Sequence, residues 1–552
     1  MTVSARRLAA GAWRRVRDAL RGETAETYFD IHNPRELNPV LTAHGVRPPA
    51  EPPAGDGLAE RVKRVFELRA DLREAYPFAL TPHPDRRRFL EWLLVYGAKD
   101  YGITADEALA WLFEQDALPD RGLRSTYLLR PDWQEAVPHA LTPAGWPGFI
   151  QFLRERHGLR GRWVSRAQLT LPFTEADPAA PGVNVVGHFR YASGLQEAAF
   201  GVVKGLRRAG FRTSLRDLPV IFDCDWRDRE RYQGLESFDT TVYVAAVNTF
   251  PAEWYPRAGL SMRPGVRRIA VWYWELEELP AEWVDKLGWA DEVWAPTRFV
   301  ADCFRRYVSA PVVPMLPGVE LPAFEPRPRS YFGLPEDRFT FLFSFDMASV
   351  MERKNPLGLI SAFRRAFRPT DPARLIVKVS RGERDPDALA RLRSAAGDGV
   401  TVIDAVMTRE DALALLACAD CYASLHRSEG FGLGLAESML MGKPVIATAY
   451  SGNLDFTTPD VAHLVEYRRV PIAEDRPPYP KGCHWAEPSV EHAAALMRRV
   501  FDRPDEAREL GARAKAYAER LLSVDAAGRR MADRLRASAA PAPLPRPTRG
   551  TA

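Results

Sequence analysis

Cysteine is scarce in this chain, with five residues in 552: Cys224, Cys303, Cys418, Cys421 and Cys483. So few, so scattered, exclude a disulfide-built scaffold and suit a reducing compartment. Cys418 and Cys421 make a C-x-x-C, but no second pair completes a zinc site, and two small apolar side chains at a helix–strand joint account for them. Long apolar runs are missing as well. No stretch reaches the ~20 apolar residues of a membrane span. The start has no apolar leader core, and the cysteine usage leads to the expectation of a cytoplasmic protein. A dominant charge is also absent: 76 basic and 72 acidic residues leave +4, which does not point to nucleic acid. The length suits roughly three to four domains of ordinary size. Abundant Ala, Arg and Pro match a bacterial gene of high GC content.

What the chain does have is glycine concentrated between two apolar strands. Ser424 to Thr448, SLHRSEGFGLGLAESMLMGKPVIAT, reads as strand, loop, helix, strand. The apolar run Cys421–Leu425 suits a buried strand. Gly430, Gly432 and Gly434 permit a tight turn and close approach of backbone to a ligand. A helix is predicted from near Gly434 to Gly442, and Lys443-Pro444 leads into a second apolar strand, Val445–Ala447. Glu429 and Glu437 stand eight residues apart, one before the helix and one about a turn inside it. The free N–H groups of a helix N-terminus receive anions and polar ligands. A carboxylate on each side can hold two sets of hydroxyls. An ordinary strand–helix joint with exposed glutamates would leave three glycines without a local need.

E-G-F-G-L-G-L-A-E, with G-K-P-V-I-A-T and Ser451-Gly452-Asn453 downstream, resembles the E-x7-E signature of the retaining, nucleotide-sugar-dependent glycosyltransferases of family 4 (group 1). The resemblance implies an α/β GT-B fold, two Rossmann-like domains facing across a cleft, here preceded by an all-α N-terminal domain. It implies that Glu429 contacts donor-sugar hydroxyls and Glu437 the nucleotide ribose, with Gly430, Phe431, Gly432 and Leu433 lining the donor site between them. Tyr450–Asp455 resembles the family loop that closes this site.

Upstream, Val183–Gly187 reads as a strand, His188–Ser193 as a loop, and Gly194–Ala209 as a helix closed by Gly210. The unit resembles the family's first strand–loop–helix, whose glycine lets the loop approach donor phosphates. Gly187 and Gly194 occupy those positions. The spacing is not the G-x-G-x-x-G of dinucleotide enzymes. Strands are predicted at Thr241–Val247, Arg268–Trp274, Glu292–Ala295 and Val312–Leu316, with helices after Pro280 and Thr297. Trp272–Glu277 and the following D-E-V-W-A-P-T-R-F-V resemble a bacterial branch of the family. Where many members carry a histidine near the reacting sugar, this chain has Trp274 and Glu275. Glu275 is a candidate for that contact, and a helix-flanking charge is the alternative. Asp223-Cys224-Asp225 is a D-x-D, the metal-holding pair of the other main glycosyltransferase fold, and is read here as a decoy.

Near Ser330 a second α/β unit begins. Phe339, Phe341, Phe343 and Phe345 alternate through a strand. Asn355 suits an N-cap and Pro356 the first helical position, with Leu359, Phe363, Ala366 and Phe367 as the buried stripe. Arg353 and Lys354 therefore stand just ahead of a helix N-terminus, a setting that suits a diphosphate. The resemblance places an arginine and a lysine on the donor phosphates near this position. With charge neutralised this way, no metal and no other cofactor is expected. Strands at Leu375–Ser380 and Val400–Asp404 follow, and Thr408 with Asp411 resembles a capping box. Pro477–Pro480 is read as the end of the compact part.

Residues 5–21 place Leu8, Ala9, Trp13, Val16 and Leu20 near one helical face among arginines. Such a helix suits an anionic membrane surface, or docking on its own protein. An internal repeat follows: Glu74–Pro82 (EAYPFALTP) recurs as Glu135–Pro143 (EAVPHALTP), identical at seven of nine positions. Thr81 and Thr142 are expected to cap the helices that follow, and His83, His139 and His157 read as packing or surface residues. The expected division is 1–24 basic segment, 25–165 helical domain, 166–182 linker, 183–328 acceptor domain, 329–488 donor domain, 489–538 helices packing back on the first Rossmann domain, and 539–552 disordered tail.

The expected function is transfer of a sugar from a nucleotide sugar to a glycan, lipid-linked or other acceptor, with retention. The partners are then the donor and that acceptor, with peripheral membrane contact as an added reading and no nucleic acid. Two alternatives stand beside it: a GT-B epimerase or phosphorylase-like enzyme, and a non-catalytic scaffold binding a partner through the helical repeats.

Overall fold

Apolar strands alternating with amphipathic helices build two parallel sheets in the computed structural model. It describes residue 31 and residues 34–539, apart from 51–58, 82, 118, 139, 142–144, 159–180, 221–231, 233, 235, 237, 259, 261 and 263–264. The basic segment 1–24, nearly all of the linker 166–182, the D-x-D at 223–225, His139, Thr142 and the tail from 540 lie outside the described residues.

The first sheet holds β1 (Gly182–Gly187), β2 (Arg212–Asp217), β3 (Thr240–Ala246), β4 (Arg267–Tyr273), β5 (Glu292–Ala295) and β6 (Val312–Pro314). Its order is β2-β1-β3-β4-β5-β6, with every neighbour parallel. The second holds β7 (Phe339–Asp346), β8 (Ala373–Ser380), β9 (Val400–Asp404), β10 (Cys421–Ser424), β11 (Val445–Thr448) and β12 (His463–Val465). Its order is β12-β11-β10-β7-β8-β9, again all parallel. The central strands are buried on both faces, as parallel strands between helix layers must be. In the first sheet the chain diverges on either side of β1, and in the second on either side of β7. A divergence of this kind opens a crevice at the carboxyl ends of the strands. The two crevices share one cavity, which makes the two-lobed arrangement the GT-B fold.

Three features depart from the sequence reading. β2 was not among the predicted strands, because Arg212, Arg216 and Asp217 hide its pattern. Arg216 is buried all the same, donating to the Ala258 and Leu128 carbonyls. Second, Pro477–Pro480 does not end the compact part. It lies in the connection of an antiparallel hairpin, β13 (Tyr467–Pro471) with β14 (His484–Pro488). Ile472, Tyr479 and Trp485 of this hairpin enter the first lobe's core beside Trp272, Trp274 and Phe304.

Third, among the described C-terminal helices it is the last that packs extensively back on the first lobe, and the two before it pack within the second. Helix α1 (Gly194–Arg208) there meets α8 (Val524–Ala539). Among the helices between them in sequence are α2 (Met351–Lys354), α3 (Pro356–Ala366), α4 (Arg409–Cys418), α5 (Leu433–Leu440), α6 (Val490–Asp502) and α7 (Pro504–Leu522). Helix α6 packs on α3 and α7 on α5, both within the second lobe. Helix α8 crosses over because small residues allow it: a Cβ on Gly528 would meet the Gly205 carbonyl oxygen at 2.4 Å. Arg534 fixes the crossing through Glu292 at 2.8 and 2.9 Å.

The N-terminal region is helical, and its sequence repeat is a structural one. Tyr76 N–H bonds to Leu72 and Ala79 N–H to Tyr76; Val137 N–H bonds to Trp133 and Ala140 N–H to Val137. Thr81 does not cap the following helix, Pro84–Trp92. Its hydroxyl donates to the Phe78 carbonyl, and His83 is the cap, accepting from Asp85 N–H. This domain docks on the first lobe, where Glu67 lies 3.9 Å from Arg190. Among the described residues no helix is long and apolar enough to cross a membrane.

Candidate active site

A cavity of about 640 Å³ lies where the carboxyl ends of both sheets meet. Residues 191–198 and 200–201 after β1, with 246–248 and 273–275 at the ends of β3 and β4, line it from the first lobe. The second lobe's wall includes residues 342–346, 353–354, 380–381, 406–409 and 429–435 with Glu437. Gly194, Arg353, Lys354, Glu429, Gly430, Phe431, Gly432, Leu433 and Glu437 all line it. Gly187 does not. It serves close packing instead: a Cβ there would meet the Val244 carbonyl oxygen at 3.0 Å and Ala199 at 3.2 Å.

The glycine loop is fixed from both lobes. A Cβ on Gly430 would stand 2.7 Å from the Trp274 carbonyl oxygen, and the Gly430 carbonyl accepts the Thr297 hydroxyl at 2.9 Å. Gly432, at φ +98°, turns the chain into α5, which opens one residue earlier than the expected Gly434. Such a φ is open to glycine at little cost. Ser451 Oγ accepts the Glu429 N–H at 2.8 Å, and Gly452 N–H donates to the Glu429 carbonyl at 2.9 Å. Below the loop, the buried His426 ring contacts Ser424 Oγ and Asn453 Oδ1, both at 3.0 Å. Burial pulls this imidazole below its ordinary value, so it stays neutral.

Arg353 and Lys354 sit on α2, entered through Val350 at φ 62° and left through Asn355 at φ 53°. A β-branched residue at positive φ stores strain, of the kind found at functional sites. Asn355 repays part of it, accepting Gly358 N–H at 3.2 Å and donating to the Leu425 carbonyl at 2.9 Å. The structure then joins what the sequence reading kept apart. Lys354 forms an ion pair with Glu429, and Arg353 reaches Glu429 at 3.3 Å and the Ser428 carbonyl at 2.9 Å. Burial pushes the Glu429 carboxyl up, but Lys354 and Arg353 outweigh it and hold it at about 2. Burial pulls the Lys354 ammonium down, with Glu429 opposing. The carboxylate is ionised at neutral pH.

Glu437 is engaged as well. Arg409, at the start of α4, pairs with it at 2.6 Å and lies 3.6 Å from Glu197 on α1 of the opposite lobe. Burial pushes the Glu437 carboxyl above its ordinary value while Arg409 opposes. Further groups were not singled out in the sequence. Lys378 lies inside β8, where a lysine in the run LIVKVS is itself a signal. Arg381, at φ 56°, pairs with Asp346 and donates to the Ala192 carbonyl at 2.9 Å. Tyr479 reaches the site from the hairpin, a placement no local pattern reveals. Among the described residues no three or more His, Cys, Asp or Glu side chains group as metal ligands.

Two parallel lobes meeting at their strand ends, with a glycine loop between two carboxylates, define a GT-B protein. Within it, residues 338–470 match the family described as glycosyl transferases group 1, a region running from β7 into β13. A D-inositol 3-phosphate glycosyltransferase of Arthrobacter sp. (strain FB24) is 31% identical over 143 residues, 25% of this chain and 33% of that protein. A protein of the same name from Nocardioides sp. (strain ATCC BAA-499 / JS614) is 32% identical over 154 residues, also 25% and 33%. The chain thus spans about a third of the length of the curated relatives it matches. Among solved structures, Anabaena Alr3699/HepE in complex with UDP and glucose is similar at 13% identity and TM-score 0.48, covering 65% of this chain and all of that one. Sucrose-phosphate synthase from Thermosynechococcus elongatus is similar at 16% identity and TM-score 0.47, covering 65% and 99%.

Proposed function

We propose that this protein is a retaining, metal-independent glycosyltransferase that moves a sugar from a nucleoside diphosphate donor to an acceptor held across the cleft. One observation carries the reading. Glu429, Glu437, Arg353 and Lys354, distant in sequence, converge from the group 1 region on a single cavity. The donor's diphosphate lies against Arg353 and Lys354, its sugar against Glu429 and its ribose against Glu437. As the bond from the anomeric carbon to phosphate breaks, the fixed cations take up the charge developing on the leaving group. Holding donor and acceptor together between the lobes supplies the rest of the acceleration. The acceptor is a glycan, a lipid-linked sugar or, following the names of the matched relatives, an inositol phosphate. It binds mainly on the first lobe, whose Gly194 loop faces the donor phosphates and whose Glu275 stands by the reacting sugar. Cytoplasmic residence with peripheral membrane contact through residues 1–24 belongs to the same reading.

The test is product analysis with a panel of nucleotide sugars and these acceptors in the presence of EDTA. Transfer with retained anomeric configuration is expected, falling about 100-fold or more in Glu429→Gln. Wild-type turnover by that variant, or activity appearing only on addition of manganese, contradicts the reading.

A further inference from the structure

The hairpin β13–β14 brings one side chain into the site from far along the chain. Tyr479 is 4% exposed. Its hydroxyl donates to Glu275 Oε2 at 3.0 Å. Its ring centre lies 5.6 Å from the Arg353 guanidinium and 5.4 Å from the Trp274 ring. The other Glu275 oxygen lies 3.8 Å from Arg353 Nη2. Arg353 is thus bounded by Glu429 on one side and by the Glu275–Tyr479 pair on the other, and among the described residues its buried Nε has no hydrogen-bond partner. The pair joins the lobes: Glu275 follows β4 of the first, while Tyr479 and Arg353 belong to the second.

We propose that Tyr479 and Glu275 are positioning residues that aim Arg353 at the donor's diphosphate. The inference rests on the glycosyltransferase reading and deepens it. A guanidinium held by a ring face and a carboxylate is confined to one plane. Its charge is then fixed before charge develops on the leaving group, and no reorganisation is needed at that moment. The phenol hydroxyl fixes the carboxylate. The neighbouring acid is stitched in the same way, since Glu277 accepts from Tyr450 at 2.9 Å and from Arg469 on β13 at 2.7 Å. The segment that carries Glu275 therefore cannot drift from the hairpin.

The experiment uses the full chain and the substitutions Tyr479→Phe, Arg353→Lys and both together. Tyr479→Phe keeps the ring and its packing and removes only the hydroxyl. Binding of UDP, GDP and ADP is measured by calorimetry, turnover on the matching nucleotide sugar by initial rates, and folding by Tm. The expected result is a kcat about tenfold lower with donor KM changed less than threefold and Tm close to wild type. In the Arg353→Lys background the same substitution has no further effect, because the group it positions is gone. Glu275→Gln, which keeps the shape and removes the charge, follows the same pattern. A wild-type kcat in Tyr479→Phe overturns the inference alone, as does a tenfold loss that persists in full beside Arg353→Lys. A wild-type protein that binds no nucleoside diphosphate overturns the functional reading and this inference with it.

Discussion

At Glu429, burial and charge pairing oppose each other, and the balance has a measurable consequence. A carboxyl held at about 2 in the folded chain, against an ordinary value near 4.5, stabilises the fold fully above the ordinary value. That contribution is lost as pH falls toward 2. Glu429→Gln lacks this proton linkage, so its loss of stability across that interval is shallower by about 1.4 kcal/mol per pH unit. Denaturant titrations at stepped pH read the slope directly, and equal acid slopes would show that Glu429 is not held down by its cations. Gly430 poses a steric question. Its Cβ position faces backbone of the other lobe, the Trp274 carbonyl, which cannot swing aside as a flexible side chain would. Gly430→Ala is expected to cost about 1–3 kcal/mol and to raise donor KM by parting the loop from the first lobe. Unchanged stability and kinetics would place the loop farther from Trp274.

Elements differ in how openly the sequence announces them, and the reason is physical. The alternating phenylalanines of FTFLFSFD marked a strand, and Asn355-Pro356 marked the start of α3 through cap chemistry. The glycine loop was legible because so many small residues beside apolar strands have no other use. Strand β2 was hidden because charged side chains in it find partners distant in the chain. Asp217 accepts from the Phe189 N–H at 2.8 Å and pairs with Arg190 at 2.9 Å. The hairpin was hidden likewise, since YRRVP and HWAEP carry no clean alternation and Tyr479 gains its meaning only against Glu275 and Arg353. Residue spacing could bring Arg353, Lys354, Glu429 and Glu437 forward as candidates, but not reveal that Lys354 pairs with Glu429 or Arg409 with Glu437. The crossing of α8 over α1 gives an element-scale prediction. Gly528→Ala sets a methyl against the Gly205 carbonyl and is expected to lower stability by about 1–3 kcal/mol, read by thermal unfolding. A variant as stable as wild type would mean that α8 does not sit tightly on the first lobe.

At the scale of the whole molecule, the lobes are tied at several points around the cavity. Asp455 accepts the Arg298 N–H at 2.8 Å, Arg381 reaches the Ala192 carbonyl, and Arg409 stands between Glu437 and Glu197. The helical domain braces the first lobe through Arg190 beside Glu67 and through Arg216 on the Leu128 carbonyl at 2.8 Å. On the function proposed above, the donor's diphosphate meets Arg353 and Lys354 where they already stand, and Lys354 is then shared between Glu429 and the phosphate. The most direct measurement is calorimetric titration of UDP, GDP and ADP into wild type and Arg353→Ala, all with EDTA present. The account predicts that at least one of these diphosphates binds the wild type without metal, and that the substitution weakens it by about tenfold or more. Equal affinity in the two proteins, or no binding until a divalent cation is supplied, would contradict it.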